Sequence, residues 1–297
     1  MITCANCGKC EDKDTNTTLK ACTACNLVKY CNRECQIAHR PKHKKECKKR
    51  AAEIYDEKLF KQPPPLDDCP ICFVRLPSNH SAQTYQPCCG KIVCNGCMYA
   101  PLYDDQGNEV VEKKCPFCRI SAPTSEKEIV KRYEKRLELG DSNAMFDMGA
   151  FYDKGIRGFT QDYTKALEYY HGAGELNAQA LQSIGYCYFH GEGVERNEKI
   201  ALQYWERAAI MGDYHSRRSL GIEEMKACNI GRAKKHYMIA ARDGHENAVK
   251  NILKLYSREL ATKEEYENAL RAYQDYVAEI KTSQRDDAAE LMDRKYY

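Results

Sequence analysis

Beyond Ser125 small and apolar residues recur at helical spacing between charged ones, which predicts a run of amphipathic helices. Ala144-x3-Met148-Gly149-x2-Tyr152-x2-Gly155 is matched by Ala180-x3-Ile184-Gly185-x2-Tyr188-x2-Gly191, shifted by 36 residues (144 to 180). Ala166-Leu167-x-Tyr169-Tyr170-x2-Ala173 is matched by Ala201-Leu202-x-Tyr204-Trp205-x2-Ala208, shifted by 35 (166 to 201). A third copy with a shortened loop uses Leu220-Gly221, then Ala233-x3-Tyr237-x2-Ala240-Ala241-x2-Gly244; a degenerate fourth begins near Ala248 and includes Tyr256, Ala269-Leu270 and Tyr273. This period predicts stacked helix pairs in which alanine lets helices approach while Tyr and Leu fill the gaps. The aromatic stripe, Trp205 included, is expected between helices rather than at a ligand. Asp286 to Tyr297 is expected to form a final helix with a frayed end.

The first third has a different chemistry. Sixteen of the 18 cysteines lie between Cys4 and Cys118, leaving only Cys187 and Cys228 for the rest. No stretch approaches the ~18 uncharged apolar residues of a membrane span, and Met1-Ile2-Thr3-Cys4 lacks the apolar core of a secretion signal. The expectation is an intracellular chain, cytoplasmic or nuclear, with no membrane partner. In a reducing compartment, cysteine pairs two residues apart suit tetrahedral zinc better than disulfides. The rival, a secreted disulfide-stapled domain, needs the missing signal.

The first series runs Cys4-x2-Cys7, Cys22-x2-Cys25, Cys31-x3-Cys35 and His43-x3-Cys47, eight ligands for two metals. His43 and Cys47, four apart, project from one helix face. Tyr30-Cys31-x3-Cys35-Gln36 followed by His43-Lys44-Lys45-Glu46-Cys47 resembles the MYND zinc finger. The resemblance implies interleaved sites, Cys4, Cys7, Cys31 and Cys35 in one, Cys22, Cys25, His43 and Cys47 in the other. Cys7-x2-Cys10 is an equally good bite and competes with Cys4-x2-Cys7. Arg40 stands where many members carry tryptophan. MYND fingers generally dock short, often proline-containing peptides, so a peptide or protein partner is implied and nucleic acid is not.

The second series reads Cys69-x2-Cys72, Cys88-Cys89, Cys94-x2-Cys97 and Cys115-x2-Cys118. Cys69-Pro70-Ile71-Cys72 and Cys115-Pro116-Phe117-Cys118-Arg119 resemble a RING finger over about fifty residues. The resemblance implies one site from Cys69, Cys72, Cys94 and Cys97 and another from Cys88, Cys89, Cys115 and Cys118. It implies no covalent catalytic residue but a docking face for a ubiquitin-conjugating enzyme, with Ile71 and Pro116 as apolar contacts and Arg119 as the cation bridging enzyme and ubiquitin. The sequence departs from the pattern at adjacent Cys88-Cys89 and at Lys91, where many members have a ligand histidine. His80 is the alternative ligand if one of the adjacent cysteines is idle.

The repeats are similar to Sel-one-like repeats, relatives of tetratricopeptide repeats, most specifically at Tyr188-x2-Gly191-x-Gly193-Val194. Charge adds little: residues 1–60 hold 13 Lys and Arg against 8 Asp and Glu in a chain of net charge +3. The basic run from His39 to Arg50 reads as the solvated face of a ligand-bearing helix. The expected protein is mostly α, with two small zinc cross-brace domains followed by an α-helical solenoid. Its parts are a MYND-type finger (1–50), a helical, proline-rich linker (51–66), a RING-type finger (67–122) and Sel-one-like repeats (126–297), with four zinc ions, two per finger. The function that follows is a candidate RING-type ubiquitin ligase whose finger and repeats hold substrates or partners. The alternative is a non-catalytic zinc-dependent scaffold. A methyltransferase, a class in which MYND fingers also occur, is disfavoured because no flanking segment resembles its catalytic domain.

Overall fold

In a computed structural model, residues 2–11, 18–100 and 113–295 are described, with side chains through 291. The chain forms two compact units, 1–61 and 62–297.

The first unit contains the short antiparallel strands β1 (Lys20–Ala21) and β2 (Lys29–Tyr30) and the long helix α1 (Arg33–Leu59). Asn32 starts α1 by accepting from the Cys35 N–H at 2.8 Å. The buried cluster of this unit is Cys4, Leu19, Cys22, Cys25 and Tyr30. Three of these five are thiols, so little of the interior is hydrocarbon.

The second unit opens with the cysteine-rich segment, in which β3 (Gln83–Gln86) and β4 (Lys91–Cys94) form an antiparallel hairpin that runs into the short helix α2 (Asn95–Tyr99). The hairpin turn carries Cys88 and Cys89. After α3 (Glu126–Glu138) come four helix pairs: α4 (Ser142–Lys154) with α5 (Tyr163–Ala173), α6 (Ala178–His190) with α7 (Glu198–Ile210), α8 (Tyr214–Lys226) with α9 (Ile230–Arg242), and α10 (Glu246–Tyr256) with α11 (Lys263–Ile280). The last helix is α12 (Ser283–Lys295). Polar N-caps define the starts of many helices, as at Asp141, Asp162, Asn177, Asn197 and Asp213, while Gly155 and Gly191 end α4 and α6 in the left-handed conformation.

One interaction recurs in the first three pairs. Gly149, Gly185 and Gly221 each lie under an aromatic ring of the partner helix, Tyr170, Trp205 and Tyr237 respectively. A Cβ at these glycines would fall 2.6, 2.5 and 2.5 Å from those rings. Fully buried alanines, Ala144, Ala166, Ala180, Ala201, Ala208, Ala233 and Ala240, keep the helices close. The expected stripe of Tyr and Trp is thus interhelical packing, and Trp205 adds a donation from Nε1 to the Gln182 carbonyl at 3.2 Å.

The cysteine-rich segment of this unit is bonded to several points of the helix array. Tyr85 Oη donates to Asp141 Oδ2 at 2.8 Å, Gln62 Nε2 to Asp243 Oδ1 at 3.2 Å, and the Ser78 N–H to Tyr276 Oη at 2.5 Å. Pro63, expected in a spacer, is buried beside Gly212. The final helix packs against α2; its expected frayed end, Tyr296 and Tyr297, lies outside the described residues.

Gly185→Ala should cost about 2–3 kcal/mol through overpacking against a rigid indole, read as a fall of several degrees in thermal midpoint. Gly231→Ala, in α9 with nothing within 4 Å of the added carbon, should instead stabilise by about 0.5–1 kcal/mol. Asp147 accepts from Tyr133 Oη at 2.9 Å, but burial outweighs this bond and, with the neighbouring Asp141, raises its carboxyl to about 6. Because the folded pKa exceeds the unfolded one, the folded state holds the extra proton between those values. The cost of burying the charge is therefore full above pH 6 and relieved as pH falls toward 4. Asp147→Asn should raise stability at pH 8 by about 2–3 kcal/mol, with the gain gone by about pH 4 in denaturant titrations.

Candidate metal centres

Four groups of ligand atoms converge, each with all members within 4.8 Å of one another: Cys4, Cys7, Cys31 and Cys35; Cys22, Cys25, His43 and Cys47; Cys69, Cys72, Cys94 and Cys97; Cys88, Cys89, Cys115 and Cys118. In both modules the first pair joins the third and the second joins the fourth. Helix α1 supplies Cys35, His43 and Cys47, and the start of α2 supplies Cys97. Cys10 is exposed and outside these groups. His80, the alternative ligand, is also outside them; it is half-buried, its ring stacked on Tyr214 and its Nε2 3.9 Å from Asp213 Oδ2.

Four Cys-x2-Cys hairpins are closed the same way, while Cys94 and Cys97 lie at the start of α2. The residue after the second cysteine has a left-handed backbone and returns its N–H to the carbonyl of the first. This holds for Gly8 (φ 76°), Asn26 (56°), Phe73 (55°) and Arg119 (63°), whose N–H groups reach Cys4, Cys22, Cys69 and Cys115 at 2.9 Å in every case. The turn aims both sulfurs of the pair at one point and presents backbone donors to them.

The donor set and its spacing fit zinc. Cys7 to Cys31 and Cys31 to Cys35 are 3.6 Å apart, Cys22 to Cys47 3.8 Å, Cys72 to Cys94 3.9 Å and Cys88 to Cys118 3.4 Å, while Cys25 Sγ lies 3.1 Å from His43 Nε2. A tetrahedron with Zn–S bonds of about 2.3 Å has edges of about 3.8 Å, whereas a disulfide would draw two sulfurs to about 2.05 Å.

Electrostatics point the same way. Burial raises Cys4 and Cys22, but backbone N–H groups outweigh it, joined at Cys22 by His43, and bring both thiols down to about 6. The thiol of Cys94 and backbone donors hold Cys69 at about 4. The neighbours of these thiolates are driven the other way: Cys31 and Cys47 rise to about 12, through burial and contact with the other sulfurs, and the contact with Cys69 raises Cys94. Crowded sulfurs cannot all ionise beside one another without a cation to offset their charge, and a bound metal ion would supply that offset.

The residues expected to meet a conjugating enzyme are placed differently from one another. Ile71 is half-buried against the Cys69, Val93 and Cys94 cluster, Pro116 is buried, and Arg119 is exposed. Among the described residues of this module the large exposed apolar side chains are Phe73 (77% exposed), Phe117 (41%) and Ile120 (49%). Sequence reading passed over all three. The signal available was their adjacency to Cys72, Cys118 and Arg119.

Comparison with known proteins identifies residues 4–47 as a MYND finger and residues 142–177 and 178–213 as Sel1 repeats. A stretch of 104 residues is 36% identical to the ERAD-associated E3 ubiquitin-protein ligase component HRD3B of Arabidopsis thaliana, covering 35% of this chain and 16% of that protein. A stretch of 169 residues is 28% identical to chitin synthase regulatory factor 4 of Schizosaccharomyces pombe, covering 54% of this chain and 26% of that protein. The matches therefore span about a sixth and a quarter of these relatives. Among solved structures, a Sel1 repeat protein from Oxalobacter formigenes is 28% identical with a TM-score of 0.45, over 52% of this chain and 65% of that one. The chain is thus a mostly helical protein carrying a zinc-binding MYND finger, further cysteine clusters and a Sel1 repeat array, parts that serve protein interaction. No helix among the described residues is long and apolar enough to cross a membrane.

Stripping the metal with excess chelator should open the first unit to trypsin at Lys20, Lys29 and Arg33, while α4–α11 stay protected because their interior is hydrocarbon. Mass spectrometry of the fragments checks this; identical cleavage with and without chelator would contradict it.

Proposed function

We propose that this chain is a RING-type ubiquitin-ligase module with four zinc ions, two per finger, acting inside the cell in the cytoplasm or nucleus. The second cysteine module holds a ubiquitin-charged conjugating enzyme, and the MYND finger and repeats hold the protein to be modified. No side chain forms a covalent intermediate. The part of this chain is to orient the charged enzyme and restrain its thioester for attack by a lysine.

The observation that carries the reading is the pair Phe73 and Arg119. Both are non-glycine residues in a left-handed backbone, which costs about 1–2 kcal/mol each relative to the right-handed form, and both are exposed. In the first finger the equivalent turns are made by Gly8, which adopts this backbone freely, and by Asn26, a residue type that tolerates it well. Closure of the metal-binding hairpin imposes that backbone, and it leaves an aromatic ring and a guanidinium exposed beside the ligands, where another molecule can meet them. With Phe117 and Ile120 they make an apolar edge bearing one cation, suited to a protein partner that offers an apolar loop and a hydrogen-bond acceptor. The naming of HRD3B as a ligase component supports a place in ubiquitin transfer.

The buried Pro116 and the adjacent Cys88-Cys89 turn favour a second reading, a zinc scaffold that assembles partners without activating a conjugating enzyme. Autoubiquitination of the zinc-loaded chain across a panel of conjugating enzymes separates the two. Phe73→Gly and Arg119→Gly should fold at least as stably as the parent yet lose chain formation about tenfold or more, the loss of one interfacial contact worth about 1.5 kcal/mol, and Ile71→Ala should lose activity as well. A fully loaded chain that supports no ubiquitin chains with any enzyme leaves the scaffold reading standing.

A further inference from the structure

The final helix reaches back to the metal centre formed by Cys69, Cys72, Cys94 and Cys97 through one side chain, Arg285. Its Nη2 donates to Cys72 Sγ at 3.8 Å and to the Val74 carbonyl at 3.1 Å, and its Nη1 to the carbonyls of Arg75 and Ile280 at 2.9 and 2.8 Å. The guanidinium thus joins a ligand sulfur, the backbone that follows the first Cys-x2-Cys turn, and the end of α11. Room for this approach comes from Gly96, between ligands Cys94 and Cys97: a Cβ there would lie 2.9 Å from both Arg285 Cγ and its backbone nitrogen. Around the same contact, Arg75 Nη1 pairs with Glu279 at 3.2 Å and its guanidinium lies 5.4 Å from the centre of the Tyr276 ring, whose hydroxyl accepts the Ser78 N–H. The N-terminal turn of α12 is fixed by Thr282, whose Oγ1 accepts the Arg285 N–H at 3.2 Å.

We infer that Arg285 is an outer ligand-supporting residue of this metal centre, and that through it metal occupancy holds α12 against the second cysteine module. Four thiolates around a dication keep two uncompensated negative charges, and a guanidinium hydrogen-bonded to one sulfur offsets part of that charge and fixes that ligand's position. The other three ligand groups show no arginine hydrogen-bonded to a sulfur among the described residues. The coupling runs both ways: the anionic centre supplies the charge that draws Arg285 in, and Arg285 with its helix covers the centre from solvent. This inference rests on zinc binding and is independent of ligase activity.

The test is zinc release from the full chain into a colorimetric chelator, 4-(2-pyridylazo)resorcinol, for the parent, Arg285→Gln, Arg285→Lys and Tyr276→Phe. Arg285→Gln should make one metal equivalent about tenfold or more labile and leave the others at the parent rate. Arg285→Lys, which keeps the charge, should recover part of the retention. Tyr276→Phe loosens the same docking contact away from the sulfurs, and hydrogen exchange should show α12 less protected while metal retention stays near the parent. Retention of all equivalents by Arg285→Gln, or equal lability in Arg285→Gln and Tyr276→Phe, would overturn the inference. If Arg285→Gln does not fold, the comparison of Arg285→Lys with Tyr276→Phe decides it: lability confined to Tyr276→Phe would overturn the inference as well.

Discussion

Coordination of cations by thiolates takes the place of a hydrophobic core in the N-terminal part of this protein. Among the described residues of the first unit, Leu19, Tyr30 and Leu59 are the buried ones of substantial apolar surface besides the candidate ligands. Burying side chains of this kind contributes about 1.5–3 kcal/mol each, which the conformational entropy of some sixty ordered residues exceeds many times over. A structural zinc ion contributes about 10–16 kcal/mol at neutral pH, on the scale of a whole domain's stability. Metal binding and folding of this unit are therefore one event.

The second unit combines two kinds of interior. Its cysteine-rich segment depends on metal, while the repeats depend on close helix approach at the Gly149–Tyr170, Gly185–Trp205 and Gly221–Tyr237 contacts. The two are joined at several points of the helix array, at Asp141, Asp243, Tyr276 and Arg285. Repeat arrays ordinarily communicate only between neighbours. A segment bonded to several repeats at once ties distant parts of the array together, and this gives the second module a rigid base from which to present Phe73, Phe117 and Arg119.

Much of this was legible in the sequence because it depends on local chemistry. Ligand spacing is set by the reach of a tight turn or of one helical turn, so the cysteine series announces itself, and the repeated Gly and Tyr positions announce the helix pairs. The docking of distant segments had no such signal. Arg285 is one arginine in a polar helix, Pro63 lies in a run that reads as a stiff spacer, and His80 sits among Ser and Asn; nothing nearby in sequence foretells their partners at Cys72, Gly212 and Asp213. Shape and position of segments far apart in the chain decide those contacts. The left-handed turns at Phe73 and Arg119 were hidden for another reason, since neither residue type favours that backbone and only the closure of the metal-binding hairpin imposes it.

Native mass spectrometry of the intact chain, purified under reducing conditions, reads out directly whether metal ions hold the four ligand groups of the cysteine-rich modules. The expected result is a mass increase of four zinc ions with every cysteine accounted for as thiol or thiolate, collapsing to the bare chain on acidification. A chain that retains its fold with no bound metal, or whose mass reveals disulfides in place of zinc, would contradict it.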